Sequence, residues 1–340
     1  MKEYTPFSAL FFLLVFSGTA LTISSTEWIY AWAGLELSTI GMVPLMLAFK
    51  SHSKTVLYYF LIQSVGSVFF IAGNLLSVSK TSTFHFSLSL IQQEKFGVLL
   101  VMVGLLIKLG MWPFYQWLPK VTEGASWFSM FILLTWQKIA PFTVIINFIS
   151  SSNLIDTIIP LLAISAACSG LVGGYGGMGE TNMRSLIAYS SITHSGWMLI
   201  AIILSSKLFI IYFLTYSLIS MVLIYSLKYN NLNTIHSVPN NYTFKFVLTS
   251  ALLTFSGMPP TIGFVIKWMV LNSALKAFYF TPICFLLLGT IMGIFYYLKI
   301  LSNTIPAMYW SPSNTPLKWA LLSTLTFLTA CSTILIIFIF

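Results

Sequence analysis

A chain of 340 residues that is 58% hydrophobic and 7% charged has too little polar surface to coat a soluble globule; this is the composition of a polytopic membrane protein. The net charge of +9 comes from cations scattered singly between apolar runs, with no basic patch, which excludes nucleic acid as a partner. Three cysteines, Cys168, Cys284 and Cys331, stand apart in apolar segments without metal-ligand spacing and read as small buried hydrophobes.

Taken in order, charges and turn residues cut the chain into eleven apolar stretches: residues 5–24, 28–48, 55–78, 96–118, 124–149, 157–177, 183–204, 208–228, 246–273, 278–301 and 318–339. Each approaches or exceeds the roughly 20 residues that cross the hydrocarbon, and none alternates as a barrel strand would. The expected fold is all-α, with about eleven transmembrane helices. The first stretch has no small-residue cleavage site before Glu27 and is expected to be a retained helix. Gly173-Gly174-Tyr175-Gly176-Gly177 follows an apolar helix and is expected to be a tight helix end. Residues 303–316, with Pro306, Pro312 and Pro316, read as a surface loop before a last helix. Trp28 and Trp310, near span ends, fit interfacial anchors.

Numbering the spans assigns the cations to alternating sides. Lys2, Lys50, Lys54, Lys120, Arg184, Lys228, Lys245, Lys299 and Lys318 share the N-terminal side; Lys80, Lys95, Lys207 and Lys276 take the other. The N-terminus is therefore expected on the positive-inside face and, with an odd number of spans, the C-terminus on the opposite one.

Three lysines have no loop to occupy: Lys108, Lys138 and Lys267. Glu36 is stranded likewise, in a run of apolar residues. Lys108 lies midway between Lys95 and Lys120, and Lys138 midway between Glu123 and Asp156. A charge at the centre of a membrane helix costs about 2.5–3.5 kcal/mol, so four cost on the order of 10 kcal/mol. Pairing that merely joins helices is the bland explanation, but small or hydroxyl side chains join helices at lower cost. The sharper reading is a set of groups that take up and release protons. Burial and a neighbouring carboxylate act on a lysine in opposite senses, so its proton affinity depends on its partner's state.

Two spans carry similar interruptions, Gly110-Met111-Trp112-Pro113 in the fourth and Gly257-Met258-Pro259-Pro260 in the ninth. A proline frees the carbonyl four residues earlier, here those of Leu109, Phe255 and Ser256, and each needs a partner at membrane depth. The alternative is a pair of ordinary proline kinks. Broken helices in matching positions of two halves point instead to a repeat transporter. With five spans per unit, the second unit is inverted: about 1–150 forms the first repeat and about 155–302 the second, with 303–340 a loop and C-terminal helix. In the seventh span, His194 sits among Ser190, Ser191, Thr193 and Ser195, where it is either a satisfied core histidine or a relay. His52, His85 and His236 fall in loops or at span ends and carry no assignment.

Residues 32–37 (WAGLEL), 108–114 (KLGMWPF), 117–124 (WLPKVTEG), 134–141 (LTWQKIAP), 188–197 (AYSSITHSGW) and 256–268 (SGMPPTIGFVIKW) together resemble the antiporter-like membrane subunits of respiratory complex I, of the animal mitochondrial subunit 2 type. The resemblance covers about residues 28–270. It implies a proton-moving subunit in which Glu36 lies at the channel edge, Lys108 is its partner on the broken helix, Lys138 the central relay, and Lys267 the lysine of the second break. It also implies partners, the small subunit 4L and antiporter-like subunit 4 beside membrane lipids, and a place in the mitochondrial inner membrane with the N-terminus in the matrix and the C-terminus in the intermembrane space. Bacterial relatives have three further N-terminal helices. Lys120 departs from an acid common in relatives, which touches only the loop electrostatics.

No phosphate-binding glycine loop or cysteine cluster is visible, so no cofactor site is expected in this chain; NADH, FMN, iron-sulfur clusters and ubiquinone would belong to other subunits. A sole arginine and the lack of a transit peptide fit synthesis inside the organelle. Two other functions fit the residues: a cation/proton antiporter, stand-alone or multi-subunit, and a scaffold subunit that moves no protons.

Overall fold

The computed structural model describes residues 6–81, 95–151, 155–235, 237, 242–259 and 261–304. Among them the chain is helical, with one isolated antiparallel bridge, Asn182 to Thr234. The helices are α1 (Pro6–Ser24), α2 (Trp28–Ala48), α3 (Ser53–Thr81), α4 (Lys95–Leu109), α5 (Trp117–Gly124), α6 (Trp127–Leu134), α7 (Trp136–Ser151), α8 (Ile155–Met178), α9 (Met183–Leu204), α10 (Ser206–Tyr229), α11 (Tyr242–Ser256), α12 (Ile262–Lys276) and α13 (Phe280–Thr304). Seven stretches among the described residues are long and apolar enough to cross a membrane: Trp28–Ala48, Ser53–Leu76, Trp127–Ser150, Ile158–Met178, Met183–Leu204, Ser206–Tyr229 and Phe280–Ser302. The first expected span and the two interrupted ones give shorter apolar helices, Ser8–Ser24, Phe96–Leu109 and Val247–Ser256. The span expected at 318–339, the loop before it, Trp310 and Cys331 lie outside the described residues.

The chain divides into two compact units, Met1–Ser165 and Ala166–Phe340. In the first, α1 lies along α2, α3 lies along α4, and α7 packs on α1, α2 and α4. In the second, α10 packs on α9 and α11, while α12 and α13 each touch both α9 and α11. Water supplies no hydrophobic drive between helices inside a bilayer, so close backbone approach does the work. Gly66 and Gly73 on α3 meet Gly104 and Gly97 on α4, each pair two turns apart. A Cβ on Gly104 would stand 2.6 Å from the Gly66 carbonyl oxygen, and one on Gly73 2.5 Å from that of Gly97.

Several expectations are corrected. Gly173–Gly177 is not a helix end, because α8 continues to Met178. Its glycines are contact points: Gly173 lies against Thr193, Gly174 against Gly289, and Gly176 and Gly177 against the rings of Tyr189 and Tyr296. Trp28 is no interfacial anchor; it is 1% exposed and packs on Phe148, with ring centroids 4.4 Å apart. Cys284 is exposed and Cys168 half-buried, so neither is a core residue. The stretch expected at 124–149 is present as the single span Trp127–Ser150, with a one-residue interruption at Thr135, φ −111° and ψ −72°, between α6 and α7. Lys120, expected in a loop, is an exposed residue of the short helix α5.

The α3–α4 approach yields a test. Gly104→Ala is expected to cost about 1–3 kcal/mol, because a methyl group has nowhere to go without parting two backbones. A fall in the thermal midpoint of the detergent-solubilised protein reads this directly. Gly179→Ala serves as the silent control, since nothing lies within 4 Å of that position.

Candidate functional site: two interrupted helices and their lysines

Both interruptions begin with the same backbone device. Gly110 follows α4 with φ +67° and Gly257 follows α11 with φ +76°, the left-handed region that glycine enters without steric cost. Each closes its helix with two reverse bonds. Gly110 N–H donates to the Ile107 carbonyl and Met111 N–H to that of Leu106; Gly257 N–H donates to Thr254 and Met258 N–H to Leu253. This is the Schellman arrangement. A tight turn follows in both, Phe114 N–H to the Met111 carbonyl and Thr261 N–H to the Met258 carbonyl. Pro113 and Pro259 are exposed in these turns, and Pro260 lies outside the described residues.

The side chains around the two turns differ. At the first, Lys108 lies in the last turn of α4 with its stem over Gly66, and its ammonium is 3.6 Å from Glu36 Oε1 on α2. The lysine side chain is 1% exposed and the glutamate 21%, so the carboxylate is the member of the pair that reaches the surface of this chain. Trp117 Nε1 donates to the Ile107 carbonyl at 3.0 Å, and Gln63 Nε2 to that of Lys108 at 3.4 Å. These acceptors lie one and two positions before the Leu109 carbonyl that the proline rule singles out. Lys138, 2% exposed on α7, lines the same small cavity as Lys108, together with Tyr59, Gln63, Trp117 and Gln137. The cavity leaves about 10 Å³ for the centre of a water molecule, about what one water needs. Gln137 Nε2 donates to the Ser38 carbonyl, fixing α7 against α2 just before Lys138.

At the second interruption the freed carbonyls are those expected, and two side chains claim them. His194 Nε2 is 3.2 Å from the Phe255 oxygen, and Lys267 Nζ donates to Ser256 at 2.9 Å. His194 is 7% exposed and its Nδ1 is 2.9 Å from the Tyr212 hydroxyl. Lys267 is only partly buried, not sealed in as its position in an apolar run suggested. Its ammonium crosses Gly257 so closely that a Cβ there would stand 2.7 Å from Nζ. Matching Gly110 with Gly257 sets Lys108 against Phe255 and Lys120 against Lys267, so the backbone device recurs and so does one lysine, exposed at 120 and partly buried at 267, while Lys108 has no counterpart.

Glu36, Lys108 and Lys138 thus gather in the first unit, and His194 and Lys267 in the second. The residues that sequence reasoning missed are Tyr59, Gln63, Trp117, Gln137 and Tyr212. Gln63 and Gln137 carried a signal, an amide inside an apolar span; the aromatic residues carried none, because such rings are common in membrane helices.

Interrupted apolar helices with lysines beside the breaks, in a multi-span chain that is helical among the described residues, define a membrane protein of the antiporter-like class. The family described as NADH:quinone oxidoreductase/Mrp antiporter, TM, matches residues 25–294. NADH-ubiquinone oxidoreductase chain 2 of Metachirus nudicaudatus is 35% identical over 324 residues, covering 92% of this chain and 89% of that one. A chain of respiratory complex I from Thermus thermophilus superposes with a TM-score of 0.79 at 21% identity, over 96% of this chain and 78% of the other. A chain of the Mrp complex from Dietzia sp. gives 0.80 at 17% identity, over 90% and 61%. The chain therefore belongs to the NADH:quinone oxidoreductase/Mrp antiporter family, and within it to that of NADH-ubiquinone oxidoreductase chain 2.

Gly257→Ala is expected to impose about 1–2 kcal/mol of left-handed strain and to push the Lys267 ammonium off the Ser256 carbonyl. A thermal midpoint together with a cryo-EM map of the variant checks both parts.

Proposed function

We propose that the chain is a core membrane subunit of NADH:ubiquinone oxidoreductase that moves protons across the mitochondrial inner membrane through Glu36, Lys108, Lys138 and Lys267, with His194 as a further relay. Electron transfer from NADH to ubiquinone, with its flavin and iron-sulfur groups, belongs to partner subunits. In this reading the chain has eleven spans built as two inverted five-span units with breaks at Gly110–Pro113 and Gly257–Pro260, and it neighbours subunits 4L and 4 among membrane lipids. The N-terminus faces the matrix and the C-terminus the intermembrane space.

The observation that carries the reading is that Lys108, already beside Glu36, shares a one-water cavity with Lys138. Two ammonium groups around one low-dielectric cavity repel each other, so a proton on one disfavours a proton on the other. The Glu36 carboxylate favours the proton on Lys108. Any event that strengthens or weakens the Glu36–Lys108 pair, such as a charge arriving at the exposed edge of Glu36, then drives a proton away from or toward Lys138. A water in the cavity would carry it. The polar shell of Gln63, Tyr59 and Gln137 suits such a water and would be wasteful around a merely structural ion pair.

A second reading, a cation/proton antiporter, is favoured by the likeness to the Mrp complex chain. It predicts sodium or potassium exchange for protons in vesicles holding the purified chain without NADH.

Replacing Lys138 with Met in a genetically tractable relative is expected to lower the protons moved per NADH oxidised by the assembled complex, with NADH oxidation retained. Lys267→Met is expected to do the same. An unchanged ratio in both variants would leave the chain a scaffold.

A further inference from the structure

The second interruption decides which nitrogen of His194 carries the proton. A carbonyl oxygen only accepts, so Nε2, 3.2 Å from the Phe255 oxygen, is the donor. In the neutral ring Nδ1 then holds the lone pair, and it accepts from the Tyr212 hydroxyl 2.9 Å away. The ring is packed between aromatic neighbours: the centroid of Phe255 lies 4.7 Å from it and that of Tyr216 5.2 Å. The basic atom of His194 therefore faces α10, and the group standing on it is Tyr212, itself 2% exposed.

From this geometry we infer that Tyr212 belongs to the proton path, as the hydroxyl through which His194 takes up its proton. The inference rests on the relay reading above. In the step, the Tyr212 O–H bond breaks as Nδ1–H forms, and the phenol oxygen takes a replacement proton from a protonated water. The phenol is regenerated, the water is left neutral, and the positive charge passes to the imidazole. Nε2–H stays on the Phe255 carbonyl throughout, and that carbonyl cannot carry a proton onward. Release from Nε2 thus requires the end of α11 to let go of the ring, which ties forward transfer to the interrupted helix.

The test uses the assembled complex of a tractable relative that shares Tyr212 and His194, reconstituted in liposomes, with protons moved per NADH oxidised as the readout. Four forms are compared: wild type, Y212F, H194Q and the double variant. Glutamine at 194 keeps an N–H for the Phe255 carbonyl and removes the base, so a loss there reports proton uptake and not the helix-end contact. Y212F and H194Q are expected to lower the ratio by the same fraction, with the double variant no lower than either. A wild-type ratio in Y212F beside a lowered one in H194Q overturns the role of Tyr212 and leaves His194 a relay. A wild-type ratio in H194Q overturns both, while the Lys138→Met result still stands or falls separately. Should Y212F fail to assemble, a fluorinated tyrosine at 212 keeps the ring and hydroxyl and makes only the hydroxyl more acidic. A changed rate of proton movement supports the inference, and an unchanged rate overturns it.

Discussion

A helix that stops inside a bilayer leaves carbonyls that no water can satisfy, and much of the polar structure of this protein answers that constraint. The Schellman bonds at Gly110 and Gly257 satisfy part of each end within the backbone. Side chains from other helices add to this: Gln63 takes the Lys108 carbonyl and Trp117 shares that of Ile107 at the first interruption, while His194 and Lys267 take the Phe255 and Ser256 carbonyls at the second. At the second interruption the side chains that hold the broken end are themselves ionisable. A change of protonation at such a residue is also a change in the capping of a helix.

The two ends make different use of this. At the first, the capping donors are neutral, an indole and an amide, and the lysine is left to face a carboxylate and a small cavity. At the second, an ammonium and an imidazole are themselves the caps, on two consecutive carbonyls at the negative end of α11. The backbone is duplicated, but the side chains on the freed carbonyls are neutral at the first turn and ionisable at the second.

Glycine serves this protein in three physically separate ways. At Gly110 and Gly257 it supplies positive φ; at Gly66, Gly73, Gly97 and Gly104 it lets two helices touch by their backbones; and at Gly257 it also clears the way for Lys267. The run Gly173–Gly177 resembled the first of these in sequence and is the second in structure. A glycine pattern carries no mark of what lies opposite it, so that distinction was not legible before the neighbouring helices were placed.

Composition and the spacing of charges determined the broad answer: a multi-span helical protein, interruptions at two glycine-proline motifs, and Glu36, Lys108, Lys138 and Lys267 as the residues out of place. Those inferences rest on the cost of charge and of open backbone in hydrocarbon, which acts on each segment alone. The tertiary structure decided everything that depends on which segments meet. It brought Lys138 to the cavity of Lys108, turned Trp28 inward and Cys284 outward, and interrupted the helix of the fifth span at Thr135. It also gave His194 a tautomer by setting a carbonyl on one nitrogen and Tyr212 on the other. The physical reason is one of range: a solvation cost is local in sequence, whereas a hydrogen-bond partner is supplied by a helix many residues away.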